Sequence, residues 1–197
     1  MSGNIVVTEY MSLDGVIEDP VGAEGSGLGN WTGPFSRGPE GDRFKLDELL
    51  NATALLFGRT TYDAFAAVWP TVEDKIGFAA RMNSLPKYLA THRGGANWPH
   101  TTVIHDDLVA AVKALKEKAD GDILVYGSRS VVHQLVPHGL VDEFRLMIYP
   151  TILGRGKKLF PEDWSAVFKT EQVQALGGGI LLARYHVVSR EKHVERK

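Results

Sequence analysis

Two segments of this chain share one layout: a short apolar, β-prone run ends at a glycine and passes at once into hydroxyl residues and a helix-forming stretch. In the first, Leu56-Phe57-Gly58-Arg59-Thr60-Thr61-Tyr62, a strand over 54–57 stops at Gly58. Thr60 or Thr61 then caps a helix whose face carries Tyr62, Phe65 and Trp69 before Pro70 ends it. The second, Val125-Tyr126-Gly127-Ser128-Arg129-Ser130, follows a strand over 122–126 and opens a helix running from Ser130 to about Val136. A strand that hands over to a helix through a tight glycine turn is the joint of a βαβ unit. A chain that repeats it is constrained to an α/β layout with parallel strands.

The rest of the chain fits that layout. Residues 4–11 (NIVVTEYM) form a β-rich run bounded by Ser12, Asp14 and Gly15, and residues 87–91 and 101–105 read as two further strands. Leu46, Leu49, Leu50 and Thr53 fall at helical spacing, which predicts an amphipathic helix over 40–51. Asp106 or Asp107 caps another, with Leu108, Val112, Leu115 and Ala119 on one side and Lys113, Lys116, Glu117 and Lys118 facing water. Residues 143–149 are a strand, either at an edge or in the core. Runs over 168–175 and 180–188, joined through Gly177-Gly178-Gly179, make a terminal hairpin. The alternation predicts one α/β domain over 1–188, its mostly parallel sheet covered on both faces, with an antiparallel hairpin at an edge and a polar tail over 189–197. The stretch 18–41 is rich in Gly, Pro, Ser and Asp, with Trp31 and Phe35 as its large anchors. A loop of this length is either a functional lid or a mobile segment.

Composition narrows the function. Across 197 residues, 22 Lys and Arg oppose 24 Asp and Glu without long runs, so nothing marks a nucleic-acid or anionic-membrane surface. Cysteine is absent, which removes disulfides, a thiolate nucleophile and a Cys-type zinc site. The seven histidines show no H-E-x-x-H pattern, so no metal is expected, and there is no G-x-S-x-G elbow. Neither a leader peptide nor an apolar run of membrane length is visible, which leaves the cytoplasm as the expected location.

Both glycine joints suit phosphate, because glycine admits close backbone approach and a helix start presents free N–H groups at its positive end. Arg59 and Arg129 add charge, and Thr60, Thr61, Ser128 and Ser130 add hydroxyl donors. Ordinary helix capping is the competing account of each joint. Neither is a G-x-G-x-x-G or Walker loop. A third strand ends at Thr91 with Arg93 close behind, a guanidinium fork suited to a phosphate ester. Two acids lie near the presumed pocket: Asp14 after the first strand, which either faces a ligand or braces the loop, and Asp42 at the start of the first helix. Asp42 is either a substrate acid or a first-turn carboxylate favoured by the helix dipole.

With these motifs in order, the chain resembles the dihydrofolate reductase superfamily, and within it the branch holding the reductase half of the bifunctional riboflavin-biosynthesis deaminase/reductase and its small stand-alone relatives. Ser12-Leu13-Asp14-Gly15-Val16-Ile17 resembles the end of that family's first strand, and the Gly58 joint its G-R-x-T-[YW] turn. Ile123 to Ser128 is similar to its second glycine turn, and Gly139-Leu140-Val141-Asp142-Glu143 with Pro150-Thr151-Ile152-Leu153-Gly154 to its riboflavin-type stretch. Where folate enzymes carry Gly-Gly at the second turn, this chain has Gly127-Ser128. The resemblance implies an NADPH-dependent reductase of a small heterocyclic or carbonyl- or imine-containing molecule, acting as a homodimer. It implies that Gly58, Arg59, Thr60 and Thr61 meet one side of the cofactor diphosphate and Gly127, Ser128, Arg129 and Ser130 the other. Thr91 and Arg93 would lie near the 2′-phosphate and Ile17 beside the nicotinamide. Asp42 would bind or protonate the substrate, and Tyr126 and Trp31 would shape its pocket. The alternative is a non-catalytic nucleotide-binding module on the same fold.

Overall fold

The structure, a computed structural model, describes residues 2–189. Its centre is an eight-stranded sheet whose strands are numbered in chain order: β1 (Asn4–Ser12), β2 (Ala52–Gly58), β3 (Lys87–Ala90), β4 (Thr101–Ile104), β5 (Asp122–Tyr126), β6 (Glu143–Tyr149), β7 (Val167–Ala175) and β8 (Leu181–Ser189). Their spatial order is β4-β3-β2-β5-β1-β6-β8-β7. The pairs from β4 through to β6 are parallel, while β8 runs antiparallel to both β6 and β7. The expected parallel sheet with a terminal antiparallel hairpin is therefore present, and β6 lies inside the sheet between β1 and β8. The polar tail beyond Ser189 lies outside the described residues.

Among the described residues five α-helices cover the sheet: α1 (Gly38–Asn51), α2 (Arg59–Val68), α3 (Phe78–Ser84), α4 (Leu108–Lys118) and α5 (Arg129–Leu135). Strand alternation separates two cores. On one face Val6, Leu55, Phe57, Leu124 and Tyr126 pack with Leu49 of α1, Tyr62 of α2 and Met82 of α3. On the other, Ile5, Val7, Leu56, Ile123 and Val125 pack with Leu108 and Val112 of α4 and Val131, Val132 and Leu135 of α5. A third cluster, beyond β6, joins Trp31, Met147, Tyr149, Ile180 and Leu182.

Local signals mostly hold. Asp107 caps α4, its side chain accepting from the Ala110 N–H at 3.0 Å, and Phe65 and Trp69 pack beside Tyr62 as their spacing predicts. Neither Thr60 nor Thr61 caps α2, because the helix begins directly after Gly58. The stripe read on α1 is rotated. Leu50 is exposed, whereas Lys45 and Glu48 point inward beside Leu49. Charges occupy that face because each has a partner: Lys45 Nζ donates to Thr8 Oγ1 at 2.9 Å and pairs with Glu48, which also accepts from Thr8 at 3.0 Å. Arg145 on β6 lies 3.7 Å from Glu48 and pairs with Glu143 and Asp122. Helix α3 carries no strong periodic signal and was not anticipated.

Lys87 shows how β3 is held where its end can face the cleft. Its side chain is wholly buried at the start of the strand, and Nζ donates to the carbonyls of Asn83, Leu85 and Pro99 at 2.7, 2.9 and 3.3 Å. The ammonium sits 4.5 Å from the centre of the Trp98 ring. One cation thus ties the end of α3 and the turn before β4 to β3. Replacing it with methionine keeps the volume but leaves three carbonyls unpaired. Lys87→Met is expected to cost about 3 kcal/mol, read as a lower midpoint in urea unfolding at unchanged slope.

Candidate active site

Leaving the sheet, the chain turns from β2 toward β3 through α2 on one face, and from β5 toward β6 through α5 on the other. The carboxyl ends of the neighbouring strands β2 and β5 therefore bound the crevice at which the winding direction reverses. Ligands of open α/β sheets bind at such crevices.

The two glycine joints meet there. Gly127 (φ +64°) and Ser128 (φ +73°) are successive left-handed residues, and they swing the Ser128 side chain back over Gly58. Ser128 Oγ accepts the Gly58 N–H and donates to Thr61 Oγ1 at 3.3 Å. A Cβ on Gly58 would lie 2.7 Å from Ser128 Oγ, and one on Gly127 would lie 3.0 Å from Thr61 Oγ1. The joints touch only because both positions are glycine. Thr60 and Ser130 are exposed at the starts of α2 and α5.

This geometry revises three expected roles. The Gly58 N–H is used by Ser128, so Gly58 provides close approach and not a phosphate donor. The Arg59 guanidinium donates to the carbonyls of Arg93 and Gly95 at 2.8 and 2.9 Å and pairs with Asp63 at 3.0 Å. It therefore anchors the loop after β3 and is not directed into the crevice. Arg129 donates to the Lys158 carbonyl at 3.2 Å. In the anchored loop, Thr91 Oγ1 accepts the Arg93 N–H at 3.1 Å, while the Arg93 side chain is exposed with no partner among the described residues.

Protein groups engage both acids. The carboxylate of Asp14 is taken up by the Ser12 hydroxyl at 2.6 Å and by the N–H groups of Leu153 and Gly154 at 3.2 and 2.8 Å. Asp14 thus braces the loops instead of facing a ligand, and the Ser12 hydroxyl and these N–H groups hold its carboxyl down to about 2. The side chain of Asp42 is 62% exposed and pairs with Arg37 at 2.6 Å. Asp42 is not enclosed, because α1 turns Gly41 and Lys45 inward and leaves it at the rim.

The stretch 18–41 packs as a lid. Asp19, buried, accepts the N–H groups of Glu24 and Ser26 at 2.8 and 3.0 Å and folds the loop on itself. Trp31 donates Nε1–H to the Glu18 carbonyl at 2.9 Å and meets the Tyr149 ring edge-on at 5.6 Å. Phe35 and Tyr10 flank the same ring at 5.8 and 5.5 Å. Trp31 therefore seats the lid and does not line an open pocket. Arg37 donates to the Tyr10 hydroxyl. Tyr126 stacks on Phe57 at 6.5 Å, with Lys45 Nζ 4.8 Å from its ring centre and its buried hydroxyl without a hydrogen-bond partner among the described residues. Ile17 is buried and tied to Lys157, its N–H donating to that carbonyl at 3.0 Å.

Sequence reasoning missed Glu9. It is 6% exposed within β1, one residue beyond the Thr8–Tyr126 pair, and its Oε1 has no hydrogen-bond partner among the described residues. Burial pushes its carboxyl well above the usual range, Glu24 of the lid adds to this, and Lys45 and the Gly127 N–H oppose it. A charge within the apolar run NIVVTEYM was the available signal. Arg37, Tyr10 and Tyr149 had none, because only the lid's folding gathers them.

Residues 4–182 match the family model of the RibD C-terminal domain. The chain belongs to the RibD C-terminal domain family. Among curated relatives, the uncharacterised Bacillus subtilis (strain 168) protein YyaP is 29% identical over 144 residues, covering 71% of this chain and 77% of that protein. A putative riboflavin biosynthesis protein from Shewanella sp. PV-4 superposes with a TM-score of 0.73 at 19% identity, covering 96% of this chain and 100% of its own. Dihydrofolate reductase from Enterococcus faecalis, solved with NADP(H), gives 0.58 at 16% identity, covering 96% and 99%. The fold is that of dihydrofolate reductase, and family membership supports a reductase-type function. No helix among the described residues is long and apolar enough to cross a membrane.

Two outcomes follow from the contacts. Gly58→Ala drives a methyl into Ser128 and is expected to destabilise by about 1–3 kcal/mol. Adding Ser128→Gly relieves the clash, so the two changes are non-additive in a double-mutant cycle of melting temperatures. Asp14 contributes stability above its ordinary value of 3.8 that is lost as the pH falls through about 2. Asp14→Asn should therefore narrow its stability deficit against the parent as acid unfolding is followed downward through that window.

Proposed function

We propose that the chain is an NADPH-dependent reductase that transfers a hydride to a small heterocyclic or carbonyl- or imine-containing molecule. The observation that carries this is the contact between the Gly58 and Gly127 joints at the crevice where the sheet winding reverses, which sets the first turns of α2 and α5 side by side. The donor set fits a dinucleotide. First-turn N–H groups with the hydroxyls of Thr60 and Ser130 suit the diphosphate, and the unpaired fork of Arg93 suits a 2′-phosphate. When bound, the reduced nicotinamide supplies the hydride.

The chain's own residues bind, orient and exclude water. Ile17 walls the ring's position, while the lid seated by Trp31 closes over Tyr10, Tyr149 and Arg37, which face the substrate side. Tyr126 shapes that side from below, its ring between Phe57 and Lys45. Asp42, held at the rim by Arg37, is not given the proton-donor part.

NADPH at millimolar concentration is expected to raise the melting temperature, as any ligand specific for the folded state must. Arg93→Ala should weaken NADPH about tenfold to a hundredfold, the worth of a charge-assisted contact, and leave NADH nearly unchanged. Equal losses for both would reject the 2′-phosphate assignment. Turnover is read as NADPH oxidation across pterins, pyrimidines, imines and quinones. Tight binding with no oxidation on any of them would identify a nucleotide-binding module instead.

A further inference from the structure

The order of the strands dictates where each part of a dinucleotide would lie, and the inference drawn here rests on the cofactor reading above. With the diphosphate over β2 and β5 and the adenosine end toward Thr91 and Arg93 at β3, the other half runs to β1, the next strand beyond β5. From β3 to β1 is three strand spacings, about 14 Å. Thr8 is paired with Tyr126, so Glu9 stands on β1 at the level of the Gly127 turn.

Glu9 is the group at that place whose chemistry is unfinished. Its side chain is more than nine-tenths buried, and Oε1 touches neither solvent nor a hydrogen-bonding partner. Native proteins leave few buried polar atoms in that condition, and each calls for an account. The Gly127 N–H is directed at this carboxyl, but no group among the described residues serves Oε1: the Lys45 ammonium is given to Thr8 and Glu48, and the nearby lid residue Glu24 is itself an acid. In this enclosure burial favours the protonated carboxyl, the form that offers an O–H donor beside a carbonyl acceptor. The complement of that pair is a primary amide, whose carbonyl accepts where the O–H donates and whose N–H donates where the carboxyl oxygen accepts.

We propose that Glu9 recognises the carboxamide of the nicotinamide ring through this pair of hydrogen bonds, and so discriminates the cofactor's reactive end. An account of Glu9 as a mere core residue does not call for an amide. The recognition account requires that ring substituents lacking the N–H bind less well.

The test titrates three ligands by fluorescence or calorimetry: NADPH, its acetylpyridine analogue, in which a methyl replaces the amide nitrogen, and adenosine 2′,5′-bisphosphate, which lacks the ring. The parent protein is expected to prefer NADPH to the analogue by about tenfold. Glu9→Leu should lose about tenfold in NADPH affinity, erase that preference and keep its affinity for the bisphosphate. Glu9→Gln, which also presents one donor and one acceptor, should bind NADPH within about threefold of the parent. Equal binding of NADPH and the analogue by the parent overturns the proposal without recourse to any variant. Bisphosphate binding with a Glu9→Leu variant that holds NADPH as tightly as the parent overturns the proposal alone, and a parent that binds neither NADPH nor the bisphosphate overturns it together with the cofactor reading.

Discussion

The contact between the ends of β2 and β5 is the constraint on which the cleft depends. A serine in the left-handed region carries a strain of roughly 1 kcal/mol or more. What offsets it at Ser128 is visible in the same turn, where the hydroxyl takes the Gly58 N–H and reaches Thr61. Because α2 and α5 leave toward opposite faces, neither helix packs against the other's first turn. The lock between joints therefore brings two positive helix ends together while leaving their outer rims open. A side chain at either glycine would push the joints apart and dissolve that arrangement.

Behind the cleft lies a set of buried charges that fixes α1 on the sheet. Lys45, Glu48, Thr8 and Arg145 form a connected group that continues through Glu143 to Arg184 on β8. Burial lowers the proton affinity of Lys45, and the neighbouring Glu48 raises it again. Such groups add little net stability over apolar packing, but losing one partner strands the other. Their value here is rotational. An apolar stripe tolerates a helix turned by a residue, whereas these pairings do not, and it is this rotation that leaves Asp42 outside and sets Lys45 beneath the Tyr126 ring.

Much of the fold was legible because it follows local rules. The limits of β5 and β6, the Asp107 cap and the apolar sides of α2 and α4 follow from alternation, capping and spacing. The meeting of the two joints followed from treating them as neighbouring βαβ units. Three things escaped. Helix α3 is one short turn system started from Asp74, whose carboxylate accepts the N–H groups of Gly77, Phe78 and Ala79. The inward face of α1 was misread because leucines outrank lysine and glutamate in any hydrophobic count, and only the distant partners Thr8 and Arg145 reverse that ranking. Arg59 was assigned to a ligand, and Asp14 left between a ligand and a loop, because motif spacing places a side chain near a cleft without showing which carbonyls or N–H groups already claim it.

The enclosed groups also bear on what the substrate side can hold. Burial raises the proton affinity of Glu9, Tyr10 and Tyr126, and it pushes Tyr149 up to about 12. Each shift favours the protonated form, which offers an O–H group, and Arg37 and Lys45 bring positive charge beside Tyr10 and Tyr126. The one carboxylate at the rim, Asp42, is already neutralised by Arg37. Such a wall is rich in donors, with Glu48 Oε2 a buried acceptor that has no hydrogen-bond partner among the described residues. On the proposed reductase reading, these donors complement a molecule whose edge carries carbonyl or imine lone pairs, since such an edge gains negative charge as a hydride arrives at the adjacent carbon. Interactions that strengthen as that charge develops favour the transition state over the bound substrate. The same donors would leave a cationic or donor-rich ligand with unpaired groups, which is the stronger basis for selection. On this argument the chemistry of the pocket is set less by any single acid than by the exclusion of water, which strengthens each donor's hydrogen bond and favours the protonated form of Glu9.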